Sequence, residues 1–279
     1  MSAAAIALAL VSAILQPTWN ALLRGGADRL WTITVMTAVP AVLSLPIALA
    51  LPHPLSASWP YLLVSASLQV GYSVFLAAAY QHGGLGQVFP VVRGSVPLLV
   101  TMGGLVFAHQ HPSALAWVGI LLVAGGILSL ALGRHRTTFK SLLLAVGAGM
   151  FVAGYVTVDG LGVRLAGGAR SYALWSFLLD GLAMPFAFVA MRGRLRIDVR
   201  SAETWKANAA GLISLVSYIA FVSALSLGPI GPLSALRETS VVFAALIGWL
   251  FLGEQLTVHR LVSCAIVALG AFCLGHAAH

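Results

Sequence analysis

The chain has 279 residues, of which 60% are hydrophobic and only 8% charged, and its mean hydropathy is +0.98. That apolar share is well above what a soluble domain carries, so the chain reads as a polytopic membrane protein. A net charge of +8 would point to nucleic acid in a soluble protein, but here the basic residues lie mainly in short connections between apolar runs, where they anchor loops at the membrane surface and exclude a nucleic-acid partner.

Apolar runs long enough to cross a hydrocarbon core of about 30 Å occur at 2–23, 31–51, 59–81, 87–108, 113–132, 141–163, 171–191, 207–227, 232–252 and 258–275. An all-α membrane protein with ten transmembrane helices is therefore predicted. The first run, from Ser2 to Leu15, lacks a basic leading segment. It passes through Gln16 and Pro17 into more apolar sequence without a small-residue cleavage pattern, so it is read as a span and not as a signal peptide. The separators are short and carry breakers or charges, such as RGGAD, HGGLG, GRHRTTFK and GPIG, which leaves no room for a soluble domain. Cys264 and Cys273 fall nine residues apart in the last span, a spacing that makes neither a metal cluster nor a disulfide framework. They are read as packing residues.

Sliding the chain over itself by 145 residues aligns Gly83 with Gly228, Gly86 with Gly231, Ser95 with Ser240, Val96 with Val241, Gly103 with Gly248 and Gly125 with Gly270. The organisation expected from this is two five-helix repeats, 1–135 and 136–279. Five is an odd number, so the second unit enters the membrane upside down relative to the first. In transporters, inverted repeats place a binding site near the midplane and let one unit rock against the other.

The ninth span carries Arg237 and Glu238 in its first third, and the fourth carries Arg93. Intramembrane charges cost about 2.5 to 3.5 kcal/mol each on insertion scales, so they face a bundle interior or a wet cavity and mark a functional path. Under the 145-residue offset Arg93 falls opposite Glu238, and Val92 opposite Arg237. Each cluster lies about 9 Å into its helix, from opposite faces, which puts the two about 12 Å apart along the membrane normal, a gap that long side chains largely span. Arg93, Arg237 and Glu238 are thus expected around a central cavity.

Arginine presents a rigid fork of donors suited to carboxylate or phosphate, which makes Arg93 and Arg237 candidate anion clamps. Glu238 is read as neutralising an arginine while the site is empty, or as a carrier of a coupling proton; the plainer alternative is a permanent bridge to Arg93 or Arg237. Asp180, mid-way along the seventh span, is a second proton-coupling candidate or else a structural hydrogen-bond donor. Trp19 and Asn20 follow Pro17 at an expected helix irregularity, and Tyr72 and Tyr218 occupy neighbouring repeat positions, so all four are substrate-binding candidates. Asp159, beside Gly160 near the end of the sixth span, is expected to be solvated at the interface. His109 and His111 in HQHP are expected in a solvated loop, and no metal site or cofactor is assigned. No GxxxxGK[ST], HExxH or GxSxG pattern occurs, so no catalytic residue is assigned. Ala145, Gly149 and Ala153, at four-residue spacing, are expected to allow close helix contact.

The segment SVVFAALIGWLFLGEQLT, followed by an apolar final helix, resembles the end of an EamA repeat of the drug/metabolite transporter superfamily. Its sharpest piece is Leu252-Gly253-Glu254, similar to the family's LGE signature; the first copy has Ala108 and His109 where Gly and Glu would stand, so Glu254 is read as helix-end structure. The resemblance covers nearly the whole chain in layout. It implies a ten-helix carrier of two inverted repeats that moves amino acids, other metabolites or drugs, mostly outward.

Two signals for orientation disagree. The connections after helices one, three, five, seven and nine hold 11 Lys and Arg against 2 in the others, which places both termini outside, whereas the resemblance more often implies cytoplasmic termini. The expected function is a secondary exporter of a small anionic or zwitterionic metabolite in the plasma (inner) membrane. The alternatives are a membrane-embedded enzyme or lipid-handling protein that holds a lipid phosphate, and a structural partner whose charges only pack helices. Expected partners are the small-molecule substrate and membrane lipid; the oligomeric state is left open.

Overall fold

The computed structural model describes residues 1–22, 28–82, 85–131, 138–252, 255 and 257–277. They form eleven helices: α1 Ala3–Leu22, α2 Arg29–Ala50, α3 Trp59–His82, α4 Leu85–Ala108, α5 Ala114–Ser129, α6 Phe139–Leu165, α7 Ala169–Arg192, α8 Ala202–Leu227, α9 Ile230–Glu238, α10 Ser240–Leu252 and α11 Val258–His276. A single 3-10 turn, Ser56–Ser58, precedes α3.

Every predicted span is helical, and nine stretches are long and apolar enough to cross a membrane, with Ile230–Leu250 counted as one. The tenth, α5, is apolar but only 16 residues long. Large apolar side chains such as Val42, Leu182 and Phe186 are at least 70% exposed, while Arg93, Asp159 and Glu238 are buried. This inside-out distribution is what a hydrocarbon solvent selects, and the chain is a multi-pass membrane protein. Side-chain oxygens of Asp28, Ser113, Thr138, Ser201 and Thr257 accept the orphan N–H groups that open α2, α5, α6, α8 and α11. The Ser201 cap, with Glu203 in the first turn, lets α8 begin at Ala202 instead of the predicted 207.

The ninth span is broken where one continuous helix was predicted. At Thr239 the hydroxyl donates to the Leu236 carbonyl at 2.6 Å and the amide to the same oxygen at 3.2 Å. A hydroxyl and an amide drawn to the carbonyl three residues back tighten the turn and interrupt the α-helical ladder. Arg237 and Glu238 therefore sit at the C-terminal end of a nine-residue half-helix, all of it buried. That end is where helix carbonyls favour a cation.

α1 lies against α8, α2 against α7, α3 against α6 and α5 against α11, while α4 packs on α6 and α9. Each of the first five helices thus meets one from the later part of the chain. Small residues permit this closeness. A Cβ placed on Gly270 of α11 would stand 2.8 Å from the Gly119 carbonyl of α5, and one on Gly149 of α6 would run into the Ser95 hydroxyl of α4. Ala145 and Ala153, one turn either side of Gly149, are buried.

The two ends of the bundle differ. At the end that holds both termini, Leu55 N–H donates to Ala166 O at 3.2 Å, Ser171 Oγ to Pro52 O at 2.6 Å, and Ile230 N–H to Gln110 Oε1 at 2.8 Å. There Arg164 Nη2 also donates to Gly228 O at 2.6 Å. At the opposite end, Trp31 Nε1 donates to Arg196 O at 2.9 Å, and the exposed Arg192 pairs loosely with Asp28 at 3.8 Å. That end carries the basic connections.

Candidate functional site

α4 and α9 meet in the bundle interior and bring Arg93 against Glu238. Arg93 Nη1 lies 3.1 Å from Glu238 Oε1 and 3.5 Å from Oε2, with side-chain exposures of 6% and 2%. The two positions that the 145-residue offset aligned are therefore in direct contact. Gln16 of α1, itself buried, lies against the same guanidinium, and with its amide assigned so that the oxygen faces these donors it accepts from Nη1 at 2.6 Å and from Nη2. The Phe89 ring lies 5.5 Å below the same guanidinium.

Arg237 points elsewhere, because adjacent residues on a helix are turned about 100° apart. Its guanidinium stacks on the Phe221 ring at 4.2 Å, and its buried Nε has no hydrogen-bond partner among the described residues. Cation–π contact recovers part of the lost hydration but leaves that Nε donor unspent. Tyr72 of α3 and Tyr155 of α6 face each other at 6.3 Å between ring centroids, and Tyr155 lies within electrostatic range of both Arg93 and Arg237. The centre thus holds two buried guanidiniums and one carboxylate, and that carboxylate is already engaged.

Asp159 corrects the expectation of a solvated interfacial acid: it is 1% exposed. α6 runs on to Leu165, and α7 and α8 close over the acid from either side. Tyr172 donates to Asp159 Oδ1 at 3.0 Å and Tyr218 to Oδ2 at 2.7 Å, with the Ser65 hydroxyl of α3 beside them. Tyr218 commits its hydroxyl proton to this carboxylate, so Ser176, 2.9 Å from the phenol oxygen, is its donor.

The other sequence candidates are placed as follows. Asp180 is buried, its Oδ1 has no partner among the described residues, and its electrostatic neighbour is Asp159, not the arginines. Asn20 donates to the Gln16 carbonyl at 2.8 Å within an α1 that continues through Pro17. Trp19 is half-buried against Val35, Met36, Ala207 and Ala210. Tyr72 is half-buried beside Tyr155. His109 and His111 are exposed in the α4–α5 connection, and Gly253 and Glu254 lie outside the described residues. Sequence reasoning passed over Gln16, Tyr155 and the burial of Asp159. A signal was present for two of them: Tyr155 and Asp159 are four apart and so share one face of α6.

A helical membrane bundle with a broken span is an arrangement that recurs among transporters. Residues 139–275 match the model of the EamA-like transporter family, and the chain belongs to the EamA-type proteins of the drug/metabolite transporter superfamily, a group of membrane transporters. A solved structure described only as a crystal structure of a protein superposes with a TM-score of 0.79 at 14% identity, covering 98% of this chain and 96% of that one, which shows the fold. No curated protein matches the chain.

Proposed function

We propose that the protein is a secondary transporter that exports a small anionic or zwitterionic metabolite across the plasma (inner) membrane, working by alternating access around Arg93, Glu238 and Arg237. The observation that carries this reading is the Arg93–Glu238 pair, 3.1 Å apart and buried, with a second guanidinium beside it whose Nε has no partner among the described residues. In this reading Glu238 holds Arg93 while the site is empty, and the anionic group of the substrate displaces it. Arg237 supplies the second arm of the clamp, and Tyr72 and Tyr155 line the space between.

The helix pairing supports two inverted repeats, 1–135 and 136–279. Exchanging the first five spans with the second five turns the α1–α8 contact into α6–α3 and leaves α2–α7 and α5–α11 unchanged, and all of these contacts occur. The basic connections at the end away from the termini support a cytoplasmic assignment for that end. The test is uptake of radiolabelled amino acids and carboxylates into proteoliposomes. Accumulation of one member that disappears in Arg237→Ala is expected. Folded wild-type protein that moves none of them, or Arg237→Ala that transports as wild type does, would overturn the assignment.

A further inference from the structure

The Asp159 cluster has no part in the clamp, yet it is the most fully hydrogen-bonded acid in the interior. Its partners come from different elements, Tyr172 from α7, Tyr218 from α8 and Ser65 from α3, around an aspartate on α6, and Ser176 of α7 holds the Tyr218 hydroxyl in turn. All are buried. Asp159 lies six residues from the C-terminal end of α6, about 9 Å below the terminal end of the bundle. It therefore sits between the central arginines and the contacts that close that end, namely Leu55 to Ala166, Ser171 to Pro52 and Arg164 to Gly228. Two of those contacts start from α6 or the turn after it, and Ser171 is the neighbour of Tyr172 on α7.

We propose that Asp159 is a proton-binding site that controls closure of the terminal end. As an anion it accepts from Tyr172 and Tyr218 at once and ties α7 and α8 to α6. When a hydronium ion at that end gives its proton to one carboxylate oxygen, its O–H bond breaks, water is released and no further covalent bond changes, but that oxygen becomes a donor facing a donor. The two charge-assisted bonds fall to neutral strength or break, and the closure loosens. The charged and titratable groups around the acid are Tyr172 of α7 and Tyr218 of α8, which donate to it, then Asp180 of α7 and Arg237 of α9, which interact with it electrostatically, and Tyr61 of α3, beside Tyr172. On α4, which also packs against α6, the charged group is Arg93, already paired with Glu238. Asp180 adds a second acid whose charge opposes that of Asp159, and Arg237 a cation that favours it. Loading of the clamp with an anion would remove that support for the Asp159 anion. The site thereby couples proton uptake to substrate occupancy. This deepens the transporter reading and rests on it.

The experiment uses the full chain in lipid nanodiscs without substrate, so it is independent of whether flux is found. Backbone hydrogen exchange is followed by mass spectrometry at acidic and mildly alkaline pH and corrected for intrinsic exchange chemistry. In the wild type, segments 169–178 and 214–230 are expected to exchange on the order of tenfold faster at acidic pH, the factor that weakening of a charge-assisted bond carries. Asp159→Asn, a neutral isostere, is expected to show the fast rate at both pH values, while Asp180→Asn keeps the pH response. Tyr218→Phe, which retains the carboxylate, is expected to abolish the response in 214–230 and preserve it in 169–178, and this decides the matter should Asp159→Asn not fold. A wild type without the pH response, or an undiminished response in Asp159→Asn or at 214–230 in Tyr218→Phe, would overturn the proposal.

Discussion

Replacing Glu238 by glutamine removes one charge from the central pair and changes its shape little. At the observed 3.1 Å and an effective dielectric of about 20, the Coulomb attraction is about 5 kcal/mol. Desolvating the two ions costs several kcal/mol each, so the intact pair contributes little net stability, but removal of one partner strands the other charge and costs about 3 to 5 kcal/mol. Gln16 offers Arg93 only a neutral acceptor, so the upper part of that range is expected. The double variant Arg93→Gln/Glu238→Gln strands nothing and should recover most of the loss. The assay is a double-mutant cycle read by denaturation of the protein in micelles, with an expected coupling of at least about 3 kcal/mol. Single and double variants that lose stability additively would refute the reasoning, because they would show that the two charges do not depend on each other in the folded state.

The same vacancy opposite Arg93 should strengthen anion binding. Acetate is expected to protect Glu238→Gln against thermal unfolding at concentrations about tenfold lower than for the wild type, and to give no protection to Arg93→Gln. Tyr172→Phe, assayed by the same denaturation, leaves one carboxylate oxygen of Asp159 without its donor and should cost about 1 to 3 kcal/mol. Gly270→Leu forces a side chain into the Gly119 carbonyl and should destabilise by at least about 1 to 3 kcal/mol, read as a lowered unfolding midpoint. Cysteines introduced at Ser113 and Ser201 lie at opposite ends of the bundle. In intact cells an impermeant maleimide should label the first and not the second if the charge count governs orientation.

Much of the architecture was legible in local sequence. Solvent class, number of spans and the positions of intramembrane charges follow from runs of apolar residues and their interruptions, since transfer into hydrocarbon is nearly additive along the chain. Caps such as Ser201 and Thr257 were legible in principle for the same reason: each acts within one turn. The contact between Arg93 and Glu238 was approached through the repeat offset, which aligned the two positions and suggested that their side chains could meet, with a permanent bridge as the plainer alternative. The orientation of Arg237 was not reached, because it depends on the rotation of a half-helix that ends at Thr239.

What the sequence by itself determined is therefore a membrane bundle with Arg93, Asp180, Arg237 and Glu238 deep inside it. Only tertiary packing decided which charge each one meets. It placed Gln16 on Arg93, laid Arg237 on Phe221, and buried Asp159 under two tyrosines from other helices. Hydropathy is a property of a residue and its near neighbours, whereas a hydrogen bond between helices depends on the depth and rotation of both. Those are set by contacts between residues far apart in the chain, such as Gly119 on Gly270, which no single segment encodes.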